Sequence, residues 1–494
     1  MKRNKFLKGK ILIDGDIVLK SSMLIGCGED VDTDIDVIKD NEGAPFIPAT
    51  SFVGVLKQKC GEIYGINVKN NDGEKFITKK EFEYIFGGND NDSLLSCSDL
   101  IILTNKNVVE TRDGVKINVK TGIAEDKGKY DYEVVAAGSK FKLKIEIDLF
   151  SDLENIIPIN KIKEVGGTIF NLLKEKGIRI GAKTNSGFGK AILETGRIFL
   201  LDFSRKEDVE AWLTGAGIKE RQDESVSFSR HNINPDENRF IINVSLDIKN
   251  SLIIRSYSDN PEDPDASQLR SGDKYIISGT SIKGALRARA EHIMKTIADK
   301  NGISEEKMNA YINVLFGNSY EIELNDETGH KKIKIDIPSR VLVEEVNLEN
   351  ICSEVQSRIK IDRFTGSVIN SALFDSLPVF PINTLGKESN IKNFTIIVKN
   401  ALDIDEGLML LLLKDIWTGN LAVGGEKNIG RGVFKGKWAS IKNINNKEIN
   451  FFKIDDISIN NKKYMEDLVK KLNEISEEEL KKFESKVNKY KSNN

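Results

Sequence analysis

Two stretches of alternation, Lys10 to Leu19 and Phe240 to Ile248, put an apolar side chain at every second position and predict two half-buried strands. Each is followed by a polar, acid-rich loop and then by a peptide with helical spacing. In the first this is Phe52, Val55 and Leu56 after Thr50-Ser51, and in the second Ile282, Ala285 and Leu286 after Thr280-Ser281. Thr or Ser ahead of such a run predicts a helix N-cap. A later helical stretch, Ile159 to Lys176 and again Glu406 to Thr418, ends in a glycine-rich peptide followed by a last strand-like segment. Between these, residues 66–140 and 318–395 are long and charged, with short β-like pieces such as Leu100 to Leu103 and Val341 to Val343. They read as insertions on a compact core.

The two halves match peptide by peptide at a spacing of about 230 to 244 residues. Thr50-Ser51-Phe52-Val53-Gly54-Val55-Leu56-Lys57 returns as Thr280-Ser281-Ile282-Lys283-Gly284-Ala285-Leu286-Arg287, and Phe86-Gly87 returns as Phe316-Gly317. Lys116-Ile117 and Thr121-Gly122 return as Lys360-Ile361 and Thr365-Gly366, Tyr130-Asp131 as Phe374-Asp375, and Gly181, Gly187 and Gly189 as Gly424, Gly430 and Gly432. A period one domain long predicts two copies of a domain, not a solenoid. The order strand, helix, strands, helix, strand predicts an α+β fold built from two ferredoxin-like βαββαβ domains in tandem. The expected boundaries are 1–204 for the first domain, 205–238 for a linker carrying Trp212 in a helical piece, 239–445 for the second domain, and 446–494 for a helical tail whose Lys- and Glu-rich pattern reads as solvated.

Bulk properties narrow the function only slightly. The 494 residues are 30% charged and 39% apolar, with a formal net charge of −3, so nucleic-acid contact would have to come from local basic patches. Cys27, Cys60, Cys97 and Cys352 form no CxxC pair, which argues against a zinc knuckle or a disulfide framework and for a reducing compartment. Lys2, Arg3, Lys5, Lys8 and Lys10 lead into an alternating stretch, not an apolar signal core, and the Leu408 to Leu413 run is too short to span a bilayer. No membrane association and a cytoplasmic location are expected.

Three groups of residues are candidates for chemistry. Lys283 and Arg287 are four apart on one helical face near a helix N-terminus, where free amides attract phosphate; a solvated basic face is the alternative. The first copy keeps Lys57 there and has Val53 in place of Lys283. The glycine loops let a backbone approach RNA and present amides to phosphate, with Lys183 and Lys190 flanking the first and Lys427 and Arg431 the second; a tight hairpin is the alternative. Neither loop fits GxxxxGK[ST], so an NTP-binding P-loop is rejected. In the acid-rich loops, Asp34-Ile35-Asp36-Val37-Ile38-Lys39 aligns with Asp265-Ala266-Ser267-Gln268-Leu269-Arg270, placing Asp34 and Asp265 five residues before a base. A carboxylate there could hold Mg²⁺ or another divalent cation, or help deprotonate a ribose 2′-hydroxyl. One carboxylate is a thin metal site; Glu29, Asp30, Asp32, Asp36 and Asp263 could supplement it, or simply keep the loop soluble. His231, His292 and His330 fall at unrepeated positions, so histidine chemistry has little basis.

The peptides Ile277 to Arg287, Arg358 to Gly366 and Gly424 to Gly432, together with Pro48 to Ser51 and Gly181 to Gly189, resemble the RAMP superfamily, specifically tandem backbone subunits of type III CRISPR effector complexes. The resemblance implies RRM-like domains, each with a β-rich thumb insertion, that grip a guide RNA and splay its duplex with a complementary target RNA. On that basis Asp34 and Asp265 match the catalytic aspartate, making the chain a metal-dependent endoribonuclease that cuts target RNA at two places. Expected RNA contacts are Ser51, Lys57, Lys183, Gly187, Gly189, Lys190, Thr280, Ser281, Lys283, Arg287, Arg363, Gly424, Gly425, Lys427, Gly430 and Arg431, with Lys120 and Arg358 on the thumbs. Expected partners are guide RNA, target RNA, other RAMP subunits and the large polymerase-cyclase subunit. An inert guide-RNA scaffold, or a lone nuclease maturing precursor guide RNA, are the alternatives.

Overall fold

The computed structural model describes residues 6–27, 33–66, 76–89, 91–104, 108–118, 121–153, 156–215, 218, 221–231, 238–258, 260, 262–326, 329–382, 389–445 and 447–492. Glu29, Asp30, Asp32 and Lys120 therefore lie outside the described residues. The chain divides into two compact units. Met1–Arg112, Tyr130–Thr184 and Phe188–Pro235 form the first, and Asp113–Lys129, Asn185–Gly187 and Asp236–Asn494 form the second. Both combine helices with antiparallel sheet.

The first unit opens with β1 (Leu7–Leu19), the longer realisation of the alternating Lys10 to Leu19 stretch. Helix α1 (Ala49–Ile63) and helix α2 (Lys79–Phe86) follow, then β2 (Leu95–Cys97), the hairpin β3 (Val109–Ile117) and β4 (Ala124–Val135), whose residues Asp113–Lys129 are grouped with the second unit, and β5 (Lys140–Phe150). Helix α3 (Ile159–Asn171) runs on through a π turn at Leu172–Lys176, and β6 (Ile178–Arg179), β7 (Lys190–Asp202) and α4 (Lys206–Thr214) complete the unit. The sheet order is β2-β5-β1-β7-β6, with β1 central and antiparallel to β5 and β7. One face of β1 buries Ile11, Ile13 and Ile17 against Phe52, Leu56, Val165 and Ile169 of α1 and α3. Its other face buries Leu12 with Phe199 and Leu201 of β7 under Trp212 of α4, which is why β1 reads apolar on consecutive residues there.

The second unit repeats the plan: β8 (Arg239–Ile248), the short strands β9 (Arg255–Ser256) and β10 (Ala266–Gln268), helices α5 (Gly279–Asn301) and α6 (Glu305–Phe316), then β11 (Val341–Val343). The hairpin β12 (Gln356–Ile361) and β13 (Val368–Leu377) leads to β14 (Ile391–Lys399), α7 (Asp403–Thr418), β15 (Phe434–Lys442), β16 (Glu448–Phe451), α8 (Ile459–Asn473) and α9 (Glu477–Ser492). Its sheet order is β11-β14-β8-β15-β16.

Three expectations need correction. Thr50-Ser51 and Thr280-Ser281 are not caps: they lie inside the first turn. In α1 the cap position is Pro48 without a side-chain bond, and the amide of Ala49 donates to Asp99 Oδ1 at 2.7 Å. In α5 the cap is Ser278, whose hydroxyl accepts from the Ser281 amide. The insertion at 66–140 carries a helix besides its β pieces, because Thr78 and Glu81 close a capping box that starts α2. Nor is the tail solvated. Leu468, Leu472, Ile475, Leu480, Phe483 and Val487 of α8, α9 and their turn are buried in the second unit's core, with Phe483 edge-on to Tyr311 of α6.

Candidate carboxylate pairs and cationic loops

The repeated Thr-Ser and Phe-Gly peptides recur together because they are bonded together. In the first unit Lys57 Nζ donates to the carbonyl of Gly87 at 2.6 Å. In the second, Arg287 Nη1 donates to the carbonyl of Gly317, also at 2.6 Å, while its Nη2 reaches Asn313 Oδ1 at 2.7 Å and its Nε reaches Glu291 at 3.0 Å. Gly87 and Gly317 end α2 and α6 at φ of 84° and 85°, leaving a carbonyl that needs a donor. Charge-assisted bonds of this kind contribute about 1.5–3 kcal/mol, so the basic residue at this position has a structural duty in both units. Lys283, one turn earlier, donates instead to the carbonyl of Asn185 at 3.5 Å; burial, with the charges of Arg287 and Lys399, pushes its ammonium down to about 7.

The glycine loops share a backbone path. Their φ values pair as 87° and 99° at Gly181 and Gly424, 95° and 85° at Gly187 and Gly430, and 73° and 72° at Gly189 and Gly432. A Cβ on Gly189 or Gly432 would lie 1.9 Å from the carbonyl oxygen of Ile180 or Val423. The Gly189 amide donates to Ser22 O, that of Gly432 to Ser251 O, that of Gly425 to Ile253 O, and that of Gly430 to Lys427 O. The amides of Gly189, Gly425, Gly430 and Gly432 are thus spent on backbone carbonyls and are not turned to a ligand. Ser51, Thr280 and Lys190 are half-buried, and Lys427 and Arg363 are exposed, the latter at the turn of the β12–β13 hairpin.

Side chains under the loops differ between units. Lys183 and Glu426 hold the same left-handed position, at φ of 53° and 55°. Lys183 Nζ lies 3.4 Å from the ring centre of Tyr132 and 4.7 Å from that of Tyr130. Burial, with the charge of Arg112, pushes it down to about 8. Arg112 is 1% exposed, bonds Ser22 Oγ at 2.6 Å and stacks on Phe188 at 5.3 Å, with Glu110 3.9 Å away. In the second unit Glu426 accepts from Arg358 at 2.6 Å, Arg431 at 2.9 Å and Arg255 at 3.3 Å. Arg431 is 2% exposed and also bonds Gln356 at 2.6 Å, so it is a buried partner of the hairpin and not a surface base.

The aspartates singled out in the acid-rich loops meet the repeated Tyr-Asp and Phe-Asp peptides. The Asp131 amide donates to Asp34 Oδ2 at 3.0 Å and the Asp34 amide donates back to Asp131 Oδ1 at 3.1 Å. The Asp375 amide donates to Asp265 Oδ2 at 2.7 Å. Each exposed loop aspartate is thus held against a half-buried second carboxylate, Asp131 or Asp375, and Asp375 Oδ1 is buried without a hydrogen-bond partner. Strand alternation sends Asp131 and Asp375 to one hairpin face and Tyr130 and Phe374 to the other, beside Lys183 and Glu426. Asp131 and Asp375 were visible as a repeat in the sequence, but their pairing with the loops was not. The bases five residues on are anchored differently: Lys39 pairs with Glu133 at 2.8 Å, and Arg270 bonds and stacks on Tyr275. Asp36 is buried and accepts from Thr33, and Asp263 accepts from Ser258, so neither stands in its aspartate pair.

Among the described residues no group of three or more His, Cys, Asp or Glu is arranged to hold a metal ion. Two carboxylates at each place, with an orphaned buried oxygen on Asp375 in the second unit, fit a hard ion that keeps water and phosphate oxygens as its remaining ligands. No helix among the described residues is long and apolar enough to cross a membrane.

A sequence model of the RAMP superfamily matches residues 16–192 and 212–435. No curated protein matches the chain.

Proposed function

Because the chain belongs to the RAMP superfamily, we propose that it is a tandem guide-RNA-binding backbone subunit of a type III CRISPR effector complex, cleaving complementary target RNA once at each unit. The observation that carries this reading is the recurrence of the same carboxylate pair, Asp34 with Asp131 and Asp265 with Asp375, at matched places in both units. The ferredoxin-like reading of each unit draws support from the sheets. Taken as the four strands of a βαββαβ unit, β1, β2, β5 and β7 lie in the order two-three-one-four, and β8, β11, β14 and β15 repeat it.

The hairpins β3–β4 and β12–β13 are the proposed thumbs. They expose Ile117 and Ile123 in one case and Ile361 and Phe364 in the other, with Phe364 100% exposed at the turn. Apolar side chains so placed suit wedging between bases, and Arg363 beside them suits a phosphate.

In the proposed reaction Asp34 or Asp265 takes the proton of a target ribose 2′-hydroxyl. The 2′-oxygen bonds to phosphorus, the bond to the 5′-oxygen breaks, that oxygen takes a proton from water, and the products are a 2′,3′-cyclic phosphate and a 5′-hydroxyl. The amides of Asp131 and Asp375 keep each carboxylate oriented for this. Asp34 with Asp131, and Asp265 with Asp375, would hold a divalent ion such as Mg²⁺, which when bound supplies positive charge against the phosphate. Guide RNA, target RNA, further RAMP subunits and a large polymerase-cyclase subunit are the proposed partners, in the cytoplasm.

An inert scaffold is the second reading, favoured by the lack of a three-ligand cluster among the described residues. Target cleavage by the assembled guide complex with Mg²⁺ decides between them. Asp34→Ala and Asp265→Ala are each expected to erase one product band and the double variant both; four identical lanes would leave the scaffold.

A further inference from the structure

The hairpin face opposite the carboxylate pair is where the second unit has a charge pattern that the first lacks. In the register of the repeat, Arg255 stands where the first copy has Gly26, Arg358 where it has Gly114, and Arg431 where it has Phe188. All three guanidinium groups converge on one carboxylate, Glu426, whose side chain is only 7% exposed. Burial presses Arg431 below its usual range, Glu426 opposes this, and Arg358 and Arg255 add to it. Its Nη1 is buried with no hydrogen-bond partner.

Arg255 and Arg358 are different: their side chains are 40% and 37% exposed. Arg255 places Nη2 on the buried glutamate, while Arg358 places Nη1 on it and Nη2 at 3.5 Å from Gln356 Oε1, and each guanidinium has further N–H donors beyond these. Arg255 is further fixed over the Phe374 ring at 5.8 Å. A buried acid that orients two exposed guanidinium groups while leaving three positive charges against one negative is a preorganised anion site. Forked N–H donors match phosphate oxygens in pairs.

We propose that Arg255 and Arg358, positioned by Glu426, form a phosphate-binding fork in the second unit that takes a backbone phosphodiester of a bound RNA strand. This rests on the RNA-binding reading above and adds to it a site present in one unit only. The first copy of the repeat has glycine at both positions, Gly26 and Gly114.

The test is binding of the full chain to fluorescent single-stranded RNA by anisotropy over a series of KCl concentrations, with melting curves on every variant. Arg255→Gln with Arg358→Gln is expected to shallow the slope of log affinity against log salt by about 0.7, the value for one phosphate no longer neutralised. Glu426→Gln is expected to weaken binding although it makes the chain more positive, because the forks lose their orientation; general electrostatics alone predicts tighter binding. Lys79→Gln with Lys206→Gln, exposed helix lysines of the first unit, is the charge-matched comparison and should leave the slope near the wild-type value. If the two double variants have equal slopes, the fork is overturned while RNA binding stands. Should Glu426→Gln melt early, the arginine pair still decides. Wild type that binds no RNA would overturn both readings, and polyglutamate competing as well as RNA would overturn the phosphate assignment.

Discussion

The loop of the first unit places a lysine, and that of the second a glutamate, on the same left-handed residue of the same backbone path. The partners change with the sign. Lys183 lies on Tyr130 and Tyr132, and Glu426 lies among three arginines. Even the buried arginine is supplied from opposite sides: Arg112 of the hairpin faces Phe188 of the loop in one unit, whereas Arg431 of the loop faces Gln356 of the hairpin in the other. The lesson is that glycine docking sets the path and the side chains beneath it are free to vary, provided that each buried charge keeps a partner of suitable chemistry.

The shared part of the comparison should break hardest. Gly189→Ala and Gly432→Ala each force a Cβ onto a carbonyl oxygen at positive φ, and each is expected to cost at least about 3 kcal/mol in urea unfolding. A large cost in only one unit would mean that the two loops are not equivalent.

The divergent part should respond with unequal size. Glu426→Gln strands Arg431 without its counter-charge and should cost about 3 kcal/mol. Lys183→Met removes cation–π interactions with two tyrosine rings and a long hydrogen bond to Tyr130 Oη from a half-buried lysine, and should change stability by no more than about 1 kcal/mol. The clamp on the Phe-Gly carbonyl is again common to both units: Lys57→Met and Arg287→Met should each cost about 2 kcal/mol by leaving the Gly87 or Gly317 carbonyl without its donor.

A separate effect is on pH. Lys283 and Lys183 have folded values near 7 and 8, below the 10.5 of an unperturbed lysine. Between the folded and unfolded values the unfolded chain binds more protons, so these groups make stability rise with pH, from about 7 for Lys283 and about 8 for Lys183, toward 10.5. Melting temperatures across that range should show a flatter rise in Lys283→Met, over the wider window, than in Lys183→Met. Equal slopes in wild type and both variants would mean that neither lysine is depressed.

Much of the fold was legible because the information is local. Alternation marked β1 and β8, and helical spacing marked the runs that became α1, α3, α5 and α7. The acids at the centre of the candidate site, Asp34 and Asp265, were legible through the repeat alone. Three things were not. Asp99 reaches the start of α1 from fifty residues away, and no local pattern encodes such a partner. Helix α9 shows loose amphipathic spacing that fits solvent as well as it fits burial, until Leu480 and Phe483 find the second unit's core. The bases Lys57 and Arg287 looked free for phosphate because the carbonyls they serve lie thirty residues on.

Sequence by itself determined that the chain is a duplication, which stretches become its long strands and helices, and which glycines must adopt positive φ, since periodicity and backbone sterics act between near neighbours. Only the tertiary structure decided which charges meet: that Asp131 and Asp375 complete the carboxylate pairs, and that Glu426 gathers three arginines from separate segments. Electrostatic partners are chosen by proximity in space and by exclusion of water, and neither quantity exists until the chain has folded.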